Sequence, residues 1–147
     1  MVHVDDFFFC GIEEFHNQVI SKIKKKFRIS TEASCAFKYL ALVVSQIENE
    51  IEVNQNDYIN TLKLVEIQRD SLNDRILDED EKSKLRSISG QVAWVASQTR
   101  PDVSFDSCRI ANRGKNSYIQ SFKEANKSIR KMKNGNIFWK KTEIISI

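Results

Sequence analysis

The sequence predicts an α+β fold in which β-hairpins and one helix come first and a three-helix bundle follows. In the first third of the chain, apolar residues occur in short runs of strand length separated by polar turns. From Glu81 onward they recur at spacings of three and four, which is typical of helices that pack one face against a core. With 147 residues, of which 41% are hydrophobic, the chain is long enough for one domain with a buried core.

The first predicted element is a hairpin at the start of the chain. Val2 and Val4 lead into Asp5 and Asp6, and the apolar run 7–9 leads out. Two adjacent anions at a hairpin tip repel each other unless a cation neutralises them, and Mg²⁺ readily binds one or two carboxylates. An ordinary solvent-exposed Asp-Asp turn is the other interpretation, and these residues alone leave both open.

A helix and a second hairpin are predicted next. Phe15, Val19, Ile23 and Phe27 recur every four residues, which indicates an amphipathic helix over 13–27. Four successive segments predict the second hairpin and the short helix after it. They are the β-rich run 37–46, the polar turn Glu48-Asn49-Glu50, the alternating Ile51 and Val53, and a helix capped by Asn56 or Asp57.

Three helices are predicted for the second half. The first runs from Glu81 to Gln98, and Gly90 within it suggests that a neighbouring segment packs closely there. Pro101 suits the first turn of the second helix, and Asn134-Gly135 ends the third. The predicted core-facing residues of the first and third helices are Leu85, Ile88, Val92 and Val95, and Tyr118, Phe122, Ala125, Ile129 and Met132. The segment 137–147 is predicted to be a final strand or an unfinished connection.

Composition and charge indicate which compartment and which kinds of partner to expect for this protein. The apolar stretches are too short to cross a bilayer, so no membrane partner is expected. Cys10, Cys35 and Cys108 lack metal-ligand spacing, which favours reduced thiols in a cytoplasmic or nuclear protein. Residues 48–81 hold eleven acidic and three basic residues, whereas residues 109–141 hold ten basic residues and a single acid. The basic end indicates either a polyanionic partner or a solvated helix face.

Several separated motifs resemble the C-terminal half of the reverse transcriptase in the Pol polyprotein of copia-type LTR retrotransposons. They are His3-Val4-Asp5-Asp6; Tyr39-Leu40-Ala41 with Ile51, Gln55 and Tyr58 behind it; Leu85-Arg86 with Gly90 and Trp94; Thr99-Arg100-Pro101-Asp102-Val103; and the helix carrying Ala125, Lys127, Ile129, Arg130, Lys133 and Gly135. A lone Val-Asp-Asp is a weak pattern. The ordered set covers nearly the whole chain, and the Thr-Arg-Pro-Asp block is the more specific part of it.

The resemblance implies an RNA-directed DNA polymerase, a magnesium-dependent nucleotidyltransferase. Asp5 and Asp6 are then the catalytic residues and ligands of Mg²⁺, with Asp5 favoured because neighbouring strand residues point to opposite faces. His3, in place of the family's Tyr, would lie near the incoming nucleotide. The implied fold is a partial polymerase palm over residues 1–66, a helical thumb-like region over 67–135, and a connection toward a missing downstream domain over 136–147.

The thumb-like region is expected to bind nucleic acid. The resemblance implies that it grips an RNA–DNA hybrid or another duplex by its phosphates and shape rather than by its base edges. The residues predicted to contact phosphates lie along a helix that runs from Lys115 to Lys133. They are Lys115, Lys123, Lys127, Arg130 and Lys131.

The departures from the family pattern lead to three hypotheses. The family's palm holds a further aspartate, fingers and a nucleotide-binding surface that find no counterpart in this sequence, and Ala41 replaces a Gly. The first hypothesis is therefore a reverse transcriptase fragment that is inactive without the missing N-terminal polymerase half. The alternative is a non-catalytic nucleic-acid-binding module derived from a retroelement. The third is a pseudogene product that folds poorly.

Overall fold

A computed structural model shows the α+β fold that the sequence predicts. It describes residues 2–3, 6–7, 9, 11–29, 31–47, 50–68, 72–113, 117–135 and 139–141, without the side chains of 2–3, 6–7 and 139–141. Strands β1 (Val2–His3) and β2 (Asp6–Phe7) pair antiparallel in a small sheet of their own. The predicted first hairpin is therefore confirmed in its pairing.

A helix follows at the predicted place, but it is not a regular α-helix. Helix α1 (Glu13–Phe15) continues through a π-helical segment (His16–Ile20) into helix α2 (Ser21–Lys26). Among the described residues from 9 to 29, only Ile20 is buried. The apolar stripe that indicated the helix therefore lies largely in solvent, with Phe15 38% and Val19 39% exposed.

The larger sheet has the strand order β3-β4-β5-β6, with every pair antiparallel. Its strands are β3 (Ala36–Tyr39), β4 (Leu42–Ile47), β5 (Glu50–Asn54) and β6 (Trp139–Lys141). Strand β6 comes from the far end of the sequence and pairs with β5. Of the two alternatives for the C-terminal segment, the described residues there show the strand.

The run 37–46, predicted as one β-rich segment, is two strands joined by a tight turn. Tyr39 pairs with Leu42, and the intervening Leu40 and Ala41 have φ angles of 48° and 63°. Two-residue hairpin turns with both central residues at positive φ usually contain Asn or Gly. Because neither residue is present, the sequence shows no turn signal at this point.

The second half of the described chain is helical. It contains α3 (Asn56–Thr61), α4 (Glu79–Gln98), a 3₁₀ turn (Pro101–Val103), α5 (Ser104–Ala111) and α6 (Ile119–Asn134). Helix α4 begins two residues earlier than predicted because Asp78 and Glu81 form a capping box. The Asp78 carboxylate accepts from the Glu81 N–H at 2.8 Å, and the Glu81 carboxylate accepts from the Asp78 N–H at 3.0 Å.

The core lies among these helices. It includes the predicted positions of α4 and α6 except Tyr118, which is the N-cap residue of α6 and is only partly buried. Its members are Ile59, Leu62, Val65, Leu77, Leu85, Ile88, Val92, Val95, Ala96, Val103, Ile110, Ile119, Phe122, Ala125, Ile129 and Met132. The prediction of close packing at Gly90 is wrong. Gly90 is exposed, and an added Cβ there would meet nothing within 4 Å among the described residues.

The Asn126 side chain of α6 forms hydrogen bonds with the segment that follows α3. The Asn126 amide, 4% exposed, accepts from the Val65 N–H at 2.8 Å and donates to the Val65 carbonyl at 2.8 Å. The amide thus pairs with both backbone groups of Val65, as a neighbouring strand would. The predicted domain boundary between residues 66 and 67 lies next to this contact. The core contains residues from before and after that boundary.

The corner between α4 and α5 closes the C-terminal end of α6. Arg100, 2% exposed, donates to the carbonyls of Lys131, Met132 and Gly135, which would otherwise lack partners at the helix end. The Asp102 carboxylate binds the same guanidinium through two hydrogen bonds of 2.8 and 3.0 Å. Helix α6 ends at Asn134-Gly135 as predicted. Gly135, the residue after the helix, is extended, with φ of −119°, and the last carbonyls are capped by Arg100.

Candidate nucleic-acid interface

Only Asp6 of the two aspartates predicted to be catalytic lies among the described residues. Asp6 lies in strand β2 opposite His3, so it is part of the paired region and not of the turn. Asp5 lies outside the described residues. The side chains of His3 and Asp6 are not described either, so their predicted roles stay predictions.

The predicted Mg²⁺ ligands, Asp5 and the side chain of Asp6, lie outside what the structure describes. Within the described residues, no three His, Cys, Asp or Glu side chains are grouped closely enough to hold a metal ion. A magnesium ion held by one or two carboxylates completes its octahedron with water and substrate oxygens.

The basic stretch from Arg109 onward is divided by the fold into two groups, and the first group is neutralised internally. Arg113 lies 2.8 Å from the Glu124 carboxylate, which is only 11% exposed, and Arg109 contacts Asp106 at 3.2 Å. Lys131 donates to the Asp102 carbonyl at 2.6 Å. These contacts tie α5 and the preceding 3₁₀ turn to α6.

Lys131 therefore differs from what the sequence predicted. Its ammonium also lies 3.6 Å from the Asp102 carboxylate and 3.9 Å from the Asp106 carboxylate. A cation with two carboxylates nearby adds little net positive potential to the surface. The sequence could not show this because Asp102 and Asp106 precede Lys131 by 29 and 25 positions and meet it only in the folded chain.

The second group consists of three cations on one exposed face of α6, which we call the α6 stripe: Lys123, Lys127 and Arg130. All three are exposed, and their spacing of four and three residues places them on successive turns. The stripe extends about 10 Å along the helix axis. The predicted phosphate-binding Lys115 lies outside the described residues, and α6 begins only at Ile119.

No carboxylate neutralises the α6 stripe within the described part of the chain. Lys123 bonds to a neutral acceptor, the Asn73 side-chain oxygen, at 2.5 Å. Lys127 and Arg130 make no hydrogen bond or ion pair to the other described residues. At one edge of this surface, Lys133 donates to the Asn60 carbonyl at 3.3 Å. Within the described residues, the stripe is thus a row of positive charges that no carboxylate neutralises.

The Thr-Arg-Pro-Asp block is a structural corner in this fold, which the sequence did not reveal. Thr99 is 1% exposed and donates to the buried Gln55 side chain at 2.9 Å, so the block also reaches the end of strand β5. Arg100 and Asp102 close α6, and Val103 is fully buried. A buried Arg that caps a helix is recognisable only when the helix it caps, 31 to 35 positions later, is known.

The outward face of α4 forms a second exposed surface. Gly90 is exposed, and Trp94, one turn later, is 37% exposed. Ser83, Ser87 and Ser97 share this face by helical spacing and are also exposed. The face therefore combines small residues with one large aromatic ring.

Comparison of the chain with protein-family models, with curated proteins and with solved structures finds no match. The interface must therefore be interpreted from its own geometry and from the motifs in the sequence. In the described part of the chain, no helix is both long and apolar enough to cross a membrane.

Proposed function

We propose that this chain is part of a reverse transcriptase of the copia type and that its helical region grips a nucleic-acid duplex. The observation that carries the proposal is the α6 stripe, whose three cations are exposed without carboxylate partners among the described residues. Because the other described basic residues of α5 and α6 are largely paired internally, the stripe concentrates the remaining charge on one helix face. Contacts of this kind bind phosphates without reading sequence.

The proposal extends to the exposed face of α4, which we assign as a second contact of the duplex. A hybrid of RNA and DNA presents a wide, shallow minor groove lined with sugars, which a flat protein surface can approach. Gly90 has no side chain to hold such a groove away, and Trp94 adds an apolar surface beside it. We therefore expect an RNA–DNA hybrid to bind at least as tightly as duplex DNA of the same sequence.

The test is fluorescence anisotropy with both duplexes across a series of salt concentrations. For three phosphate contacts, the slope of log K against log salt should be about −2.7. Replacing Lys123, Lys127 and Arg130 together by Gln should weaken binding evenly across sequences and flatten the slope by roughly 2 to 3. The matched control replaces Lys22, Lys25 and Lys26, which are exposed at the other end of the sequence, and removes the same charge.

Two results would contradict the proposal. One is the absence of duplex binding by the unmodified chain at low salt. The other is equal weakening by the two triple variants, because net charge and not the α6 stripe would then account for the affinity.

Magnesium-dependent primer extension tests the expectation that this chain is inactive as a polymerase on its own. The resemblance supplies two of the family's carboxylates, Asp5 and Asp6, and not the further one. We therefore expect no extension of a primer on an RNA template by this chain alone. Extension that is abolished by Asp5→Asn would show that the catalytic site is complete.

A further inference from the structure

One large apolar side chain stands alone on the surface formed by α5 and α6. Phe105, in the first turn of α5, is 77% exposed, and it is the most exposed large apolar side chain among the described residues. The other exposed large apolar side chains among the described residues all lie outside α5 and α6. A single exposed ring is common on protein surfaces, so its meaning depends on its neighbours.

The Phe105 ring is oriented by Arg109, one turn later on α5. The Arg109 guanidinium lies 6.0 Å from the ring centroid, at the range of a cation–π contact. The guanidinium is itself held by Asp106 at 3.2 Å and lies 3.8 Å from Glu124 of α6. The ring therefore has a fixed neighbour on one side, and its high exposure leaves the other side open to solvent.

The neighbours of the ring on α5 approach residues of α6 that lie one turn from the stripe. Glu124, which the Arg109 side chain approaches, precedes Lys127 of the α6 stripe by one helical turn. Asp106, next to Phe105 in the sequence, lies 3.9 Å from the Lys131 ammonium, one turn beyond Lys127. A strand whose phosphates lie along the stripe can therefore bring its bases near Phe105.

We propose that Phe105 stacks on an unpaired base of a nucleic-acid strand that extends from the duplex held by the α6 stripe. The inference rests on the proposed function and names the form of nucleic acid that this edge recognises. Open aromatic rings beside a row of cations are the usual elements of single-strand binding, because every base offers a stacking face. A protein partner would need a contiguous apolar patch, and the described α5 and α6 expose only this ring.

The experiment compares a blunt RNA–DNA hybrid with the same hybrid carrying a short single-stranded extension. The extension should raise the affinity of the unmodified chain. Phe105→Ala should remove that gain, a loss of roughly 5- to 100-fold on the extended hybrid, and leave affinity for the blunt hybrid unchanged. Phe105→Trp should keep the gain because it keeps a stacking ring. The matched control is Leu72→Ala, which removes another side chain that is 72% exposed.

The outcomes separate this inference from the proposed function. If the unmodified chain binds the blunt hybrid and Phe105→Ala keeps the full gain from the extension, the stacking role is wrong while the duplex interface stands. Equal losses on both hybrids would also overturn it, because Phe105 would then act on the duplex or on the fold. If the unmodified chain does not bind the blunt hybrid at low salt, both proposals fall.

Discussion

Ala41 and Gly90 each occupy a position whose backbone conformation favours the other residue type. Ala41 has φ of 63°, where a Cβ is unfavourable, and Gly90 lies in the interior of α4 with open space where a Cβ would be. We expect Ala41→Gly and Gly90→Ala each to raise the free energy of unfolding by about 1 kcal/mol. Urea unfolding measures both.

The same two variants have different expected effects on binding. Gly90→Ala adds a methyl group to the face of α4 that we assign to the duplex, so its affinity for the hybrid should fall while its stability rises. Ala41→Gly lies in a hairpin turn outside that face and should leave affinity unchanged. A Gly90→Ala chain that gains stability and keeps full affinity would remove α4 from the interface.

Asn126 makes the most specific buried contact described between α6 and the segment before it. Asn126→Ala leaves the N–H and carbonyl of Val65 buried without partners, so we expect a loss of roughly 2 to 4 kcal/mol in the free energy of unfolding. Asn134→Ala, at an exposed position of the same helix, should change it by less than about 0.5 kcal/mol. Similar small effects from both variants would show that the Val65 contact contributes nothing to stability.

Among the elements, the corner at residues 99–103 makes stability depend on acid pH. The Arg100 guanidinium, hydrogen-bonded to the Asp102 carboxyl, holds the pKa of that carboxyl below its usual value. A lowered pKa adds stability that is complete above the unfolded pKa of about 4 and is lost as the pH falls through the folded pKa. Asp102→Asn should therefore lower stability at neutral pH and weaken its dependence on pH below about 4.

Thermal unfolding across a pH series tests this expectation. The control is Asp74→Asn, at an exposed carboxylate that makes no ion pair or hydrogen bond within the described chain. If the two variants show the same pH dependence, Asp102 does not stabilise the folded state through its charge.

The elements also differ in how much of them the sequence could predict. In α4 and α6, the apolar spacing reports burial directly, and the apolar residues that it indicated within the two helices are buried. The burial of the polar Ser121, Asn126 and Ser128 gave no such signal. The turn at Leu40 and Ala41 gave no such signal, since its conformation is imposed by the pairing of β3 and β4. For the candidate interface, the α6 stripe could be predicted from helical spacing. The pairing of Arg113 with Glu124 and of Lys131 with Asp102 could not, because each pair joins residues that meet only in the folded chain.

On the scale of the whole molecule, the described chain has one well-packed region and one sparsely packed region. The helices α4 to α6 and the segment 59–65 share a single core, whereas residues 11–29 bury only Ile20 among their described members. We expect amide hydrogen exchange to show global protection for α4 and α6 and much lower protection for α1 and α2. Equal protection of both regions would mean that α1 and α2 are held by contacts outside the described residues.

The pairing of Asn126 with Val65 also limits insertions and deletions in the segment between Ile59 and Val65. Ile59 and Val65 are both anchored in the core, and the side-chain amide holds Val65 at one defined register. A residue inserted between them would displace Leu62 from its buried site or break the amide pairing, although lengthening a loop by one residue costs little entropy in itself. The spacing of these anchors is therefore a constraint on insertions and deletions. It acts through a side chain 61 positions away in the sequence.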